Sequence, residues 1–134
     1  MASGRVLDLY LGELRRTEAV DVEAALATGQ LITLAGPGAT ARTGTRRIEN
    51  LVRSGLAGGA PVMRLVGELV SARAVFRSDA DMFDFELGLN ALAHRFPIVF
   101  LCQYDVREFG GQAILEALRA HPDLFDLRLG NFLG

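Results

Sequence analysis

The chain predicts an α/β fold, a mostly parallel sheet flanked by helices in three layers, and three observations carry that expectation. Pro97-Ile-Val-Phe-Leu-Cys102 is a short unbroken apolar run, the pattern of a strand covered on both faces in a parallel sheet rather than one that is half wet. Met82, Phe85, Leu89 and Leu92 recur at helical spacing within Asp79 to His94, a stripe that reads as core. Segments of the two kinds alternate along the chain, the order of βαβ units with right-handed crossovers.

Taken in order, Met1 to Gly4 reads as a frayed start. Arg5 to Leu11 sets Val6, Leu7, Leu9 and Leu11 around Asp8 and Tyr10 and reads as a strand, with Glu13 to Thr17 as a polar connector. Asp21 caps a short helix carrying Val22, Ala25 and Leu26, which Gly29 stops. Gln30 to Ala35, QLITLA, is the second strand, and Gly36 to Thr45 the loop after it. A helix over Arg46 to Ala57 carries Ile48, Leu51, Val52 and Leu56 and ends at Gly58-Gly59. Pro61 to Val66 is the third strand, delivered into Gly67-Glu68. Ser78 caps the longest helix, Asp79 to His94. After the Phe96 to Cys102 strand and Gly110-Gly111, a helix places Ile114, Leu115 and Leu118 on one face and closes at His121-Pro122. Leu124 to Leu129, LFDLRL, is a last edge strand.

Composition narrows the function classes. A chain of 134 residues suits one domain, residues 1–134, that buries roughly two thirds of its unfolded surface. Net charge is −2, so no basic excess points to nucleic acid or an anionic membrane. No apolar run is long enough to cross a bilayer, and MASGRVLDLYLGELRR lacks the basic-then-apolar order of a signal peptide; the expectation is a cytoplasmic protein. The single cysteine, Cys102, rules out an internal disulfide and, lying in an apolar strand, reads as a buried inert thiol. With two histidines and no CxxC, HxxxH or HExxH spacing, neither a metal nor a cofactor is expected.

The loop GPGATARTGT follows a strand and precedes a helix with spacing close to the phosphate loop GxxxxGK[ST]. Ala41 and Arg42 stand where that motif needs glycine and lysine, followed by Thr43. A Cβ obstructs the approach of backbone to phosphate, so the loop reads as a connector. Nucleotide binding through Gly36, Gly38, Arg42 and Thr43 is the alternative.

Several segments resemble, in order, the MEDS domain, the methanogen/methylotroph sensory domain. These are Asp21-Val-Glu-Ala-Ala-Leu to Gly29-Gln30-Leu31, Arg64-Leu65-Val66-Gly67-Glu68, Phe85-Glu86 with Leu89-Asn90, Leu101-Cys102-Gln103-Tyr104-Asp105 with Arg107 and Phe109, and Leu118-Arg119-Ala120-His121-Pro122. The CQYD and HP motifs are the specific part. The resemblance spans Arg5 to Leu129 and implies a truncated RecA/KaiC-like α/β fold without a working ATPase site. It implies a role in sensing small organic compounds, in company with DNA-binding or kinase-like segments in relatives. The chain departs from the family by lacking a first strand and helix ahead of Arg5, and by Gly88 where a longer side chain is usual. Loss of an internal strand leaves backbone and apolar faces to be covered, so a homodimer or a rearranged sheet is expected.

In a parallel sheet Glu68 and Gln103, Tyr104, Asp105 and Arg107 leave neighbouring strands at one edge, where open α/β sheets place ligands. Glu86 and Asn90 share a helix face one turn apart. One reading is a polar small-molecule pocket. The other is structural: Asp105 caps the following loop, Glu68 pairs with an arginine such as Arg107, and the cluster satisfies buried backbone. Glu68 and Asp105 have the chemistry for acid–base work or a magnesium ion, but no nucleophile–base–orienter set accompanies them. His121 reads as a helix-terminus residue. The expectation is a non-catalytic sensory or regulatory module for signal transduction or transcription control that binds a small ligand or a protein partner. A degenerate phosphate-loop protein and a purely structural homo-oligomer are the alternatives. With no helix-turn-helix or kinase segment in its residues, such a module passes its signal to another protein.

Overall fold

The computed structural model describes residues 4–121. Their elements run α1 (Gly4–Arg16), α2 (Val22–Thr28), α3 (Ala41–Ala57), β1 (Met63–Glu68), α4 (Leu69–Arg73), α5 (Asp79–Ala93), β2 (Ile98–Gln103) and α6 (Gly111–Ala120). The Leu124 to Leu129 strand and the start at Met1 to Ser3 lie outside the described residues.

β1 and β2 pair in parallel, with Met63 opposite Ile98 and Glu68 opposite Gln103. α4 and α5 form the crossover between them. The parallel pair and the shared rim of Glu68 and Gln103 are as the sequence indicated. Among the described residues the sheet has these two strands, so the observed fold is a mixed one: a small parallel sheet with helices.

The inner side of the sheet carries Met63, Leu65, Ile98 and Phe100 into the core; α3 packs on β1 and α5 on β2. The expectation that the Pro97 to Cys102 strand is covered on both faces is corrected here. Val99 is 56% and Leu101 55% exposed, because β2 alternates between a packed face and an open one.

Local chemistry sets the helices. Asp21 accepts from Ala24 N and Gly29 adopts φ 73°, closing α2 at both ends as its sequence predicts. Ser78 caps α5, and Met82, Phe85, Leu89 and Leu92 are all buried. α3 begins at Ala41, five residues earlier than its apolar stripe indicates. Thr40 and Thr43 form a reciprocal capping pair there, each side chain accepting from the other's backbone N–H, and this starts the helix ahead of the stripe. α3 and α5 approach closely through glycine: a Cβ on Gly44 would sit 2.8 Å from the Phe85 ring, and one on Gly88 would run into Thr45 Oγ1.

Three further expectations are corrected. Arg5 to Leu11 is not a strand but the body of α1, which also takes in Glu13 to Arg16. Val6, Leu7, Tyr10, Leu11, Gly12 and Leu14 are its half-buried positions, a helical repeat that local alternation concealed. Gln30 to Ala35 forms no strand. The Leu31 N–H donates back to Ala25 O in the close of α2, and the half-buried positions are Leu31 and Leu34, a spacing of three rather than two. On α6 Ala113, Ile114, Ala117, Leu118 and Ala120 are buried or half-buried, as expected for Ile114 and Leu118, whereas Leu115 is 53% exposed; small residues let this helix sit close to α5. Short α4 has no apolar repeat to announce it. It is started by the Glu68 carboxylate, which accepts from Val70 N and Ser71 N.

Candidate functional site

Glu86 is the buried charged residue among those described, 2% exposed, and the site is built outward from it. It follows Phe85 on α5 and lies one turn after Met82, so helical periodicity carries a carboxylate into the core stripe. Its Oε2 accepts a hydrogen bond from Tyr104 Oη and lies 3.3 Å from His121 Nε2. Its Oε1 has no hydrogen-bond partner.

Each partner is placed by a simple rule. Cys102 sits on the inner face of β2, and strand alternation puts Tyr104, two residues on, on the same side. His121 follows Ala120 at the end of α6, where its Nδ1 lies 2.8 Å from Ala117 O. That carbonyl only accepts, so Nδ1 carries the proton and donates to it. Tyr104 packs edge-on against Phe109 at 5.1 Å and His121 at 6.2 Å. Burial, and then the charge of Glu86, push both the Tyr104 hydroxyl and the Cys102 thiol well above their ordinary pKa; both are neutral.

On the other side of Tyr104 lies an open cleft of about 770 Å³ whose lining includes Val6, Leu9, Glu68, Gln103, Asp105 and Arg107. Glu68 spends both carboxylate oxygens on α4, 2.7 Å from Val70 N and 3.0 Å from Ser71 N, not on Arg107. Asp105 pairs with Arg107 at 2.6 Å and accepts from the Arg107 backbone N–H at 3.0 Å. The Arg107 guanidinium holds the Asp105 carboxyl at about 2, so it stays charged at neutral pH. Gln103 Oε1 accepts from the Tyr10 hydroxyl, tying α1 to the rim.

The structure therefore brings Glu68, Gln103, Tyr104, Asp105 and Arg107 to one cleft and sets Glu86 directly behind Tyr104. Asn90, half-buried one turn along α5, is not part of that lining. Glu68 and Asp105 each stabilise local backbone, and both lie along the open cleft. Sequence reasoning did not join Cys102 and His121 to Glu86. The available signal was a glutamate inside an apolar helical stripe, which demands partners.

The loop at Gly36 and Gly38 has φ 106° and 123°, as glycine permits. Arg42 and Thr43 fall in the first turn of α3. Two N–H groups of that turn are engaged: Thr43 N by Thr40 Oγ1 at 3.2 Å and Ala41 N by the Asp81 carboxylate at 3.3 Å. A carboxylate thus already stands at this helix start.

Among the described residues no helix is long and apolar enough to cross a membrane. Residues 1–122 match the family profile described as "MEthanogen/methylotroph, DcmR Sensory domain" (MEDS). The chain is 39% identical over 106 residues to the "Transcriptional repressor DcmR" of Methylorubrum extorquens, covering 78% of this chain and 40% of that protein. It thus spans well under half the length of the relative it matches. No solved structure matches the chain.

Proposed function

Because the chain belongs to the MEDS family of sensory domains, we propose that it is the non-catalytic input module of a regulatory system, taking a small organic ligand in the cleft beneath α1. Similarity to a protein named as a transcriptional repressor supports a regulatory role. The observation that carries the mechanism is the position of Tyr104. It lines the cleft and donates to Glu86, and the same carboxylate oxygen meets His121 at the end of α6. A ligand that moves the Tyr104 ring changes the partner of a buried carboxylate, and the end of α6 must answer. Exchange of a buried hydrogen-bond partner is worth enough to bias a two-state element.

The ligand implied by the lining is small and amphipathic. Val6 and Leu9 offer apolar contact, while Gln103 and Arg107 offer polar groups. A panel of small alcohols, amines and carboxylates, titrated against the labelled chain and followed by amide NMR shifts, tests this. At least one compound is expected to move Gln103, Tyr104 and residues of α6 together, with its effect lost in Gln103→Ala. Shifts confined to exposed residues distant from the cleft contradict the reading.

A RecA/KaiC-like ancestry, a cytoplasmic setting, a protein partner and a homodimer belong to the same proposal. Exposed Val99 and Leu101 on the open sheet face supply apolar surface for self-association. Sedimentation velocity is expected to show a dimer; a monodisperse monomer at micromolar concentration rejects this part.

A further inference from the structure

We propose that Glu86, Cys102 and His121 form a binding site for one divalent metal ion of the zinc class. The site stands whether or not the cleft takes an organic ligand. One ligand atom from each residue lies within 4.8 Å of the other two. Tetrahedral zinc holds sulfur at about 2.3 Å and nitrogen or oxygen at about 2.0–2.2 Å, which sets ligand atoms roughly 3.3–3.8 Å apart. The three groups therefore need to close by about an ångström, within the reach of side-chain torsions.

Two independent observations point to a cation. Glu86 is 2% exposed and its Oε1 lacks any donor; a buried carboxylate oxygen without a partner is unfavourable until a proton donor or a positive charge meets it. His121 donates from Nδ1 to the Ala117 carbonyl, which makes Nε2, 3.3 Å from Glu86 Oε2, the ring atom that can ligate a metal in place of a proton. This is the outer-shell arrangement that orients metal-binding histidines. Tyr104 does the same for the carboxylate through its bond to Oε2.

The donor types select the metal. On binding, the ion displaces the Cys102 thiol proton to solvent, and thiolate with imidazole and one carboxylate suits zinc or cobalt, whereas magnesium and calcium require oxygen ligands. Three protein ligands leave a fourth position for water or an exogenous group. The ligands come from α5, β2 and the end of α6, so an ion there ties three elements together.

Cobalt(II) titration of the full chain, with a non-thiol reductant, reads the site directly. Cys102 is the single cysteine, so any thiolate-to-cobalt charge-transfer band reports that residue. The expected result is a band that saturates at one ion per chain, is abolished by zinc, and is absent in Cys102→Ser. Glu86→Gln and His121→Gln are expected to weaken cobalt binding at least tenfold while circular dichroism shows them folded. No saturable band in the folded wild-type chain overturns the proposal, as does a band unchanged in folded Glu86→Gln and His121→Gln, which marks adventitious thiol binding. Should a variant fail to fold, the wild-type chain decides: a zinc-dependent rise in Tm with one-to-one stoichiometry supports the site, and no rise overturns it.

Discussion

Phe85→Ala is expected to lower the free energy of unfolding by about 3–5 kcal/mol, the range for truncating a buried aromatic. Phe85 is fully buried and stacks at a tilt against Phe76, centroids 5.3 Å apart. The cost falls at the upper end where the surroundings cannot collapse, and here they resist it. α3 already lies against the ring at Gly44, and Gly88 brings α5 equally close to Thr45. With the Thr45 side chain already against Gly88, the two helices cannot draw together to close the cavity. For a domain whose total stability is on the order of 5–15 kcal/mol, the variant stands near unfolding at 37 °C. Urea denaturation should show a lower midpoint at unchanged slope. Leu115→Ala, on the exposed side of α6, is the contrast and should stay within about 0.5 kcal/mol of wild type. Equal effects from the two substitutions would contradict the assignment of the core.

The second large effect is expected from Tyr104→Phe, about 1.5–3 kcal/mol in chelator-treated protein. Phenylalanine keeps the edge contact with Phe109, so packing is conserved and only the hydroxyl is lost. What remains is a carboxylate in the core with His121 3.3 Å from Oε2 and nothing on Oε1. Removing one member of a buried polar pair costs more than the pair contributes, because the survivor keeps its desolvation penalty. Tyr10→Phe removes a hydroxyl from an exposed contact and should cost far less. Comparable losses from the two tyrosine variants would show that Glu86 is not the feature that matters.

Much of this arrangement was legible from residue pattern. The α5 stripe, its Ser78 cap, the caps of α2 and the parallel pairing that sets Glu68 beside Gln103 all follow from local rules that tertiary packing did not override. The failures have physical causes. α1 reads as a strand when only Arg5 to Leu11 is considered, since Leu7, Leu9 and Leu11 alternate with Asp8 and Tyr10; the packed set Val6, Leu7, Tyr10, Leu11 and Leu14 follows the helical period instead. QLITLA has the composition of a strand, but Leu31 is already held by the close of α2, and among the described residues no neighbouring ladder takes the segment. The open face of β2 could not be foreseen from an apolar run, which is silent about what covers it. The Glu86 junction was half visible. The glutamate's place in the stripe is periodic, but its partner Tyr104 is 18 residues away and His121 comes from yet another element, so their meeting is a product of the fold alone.

The central claim, that Glu86 and Tyr104 act as one buried unit under the cleft, is tested most directly by a double-mutant cycle of Glu86→Leu and Tyr104→Phe in metal-free protein. The account predicts a coupling energy of about 1.5–3 kcal/mol, with Tyr104→Phe costly in the wild-type background and neutral or favourable beside leucine. Strictly additive stabilities would contradict it.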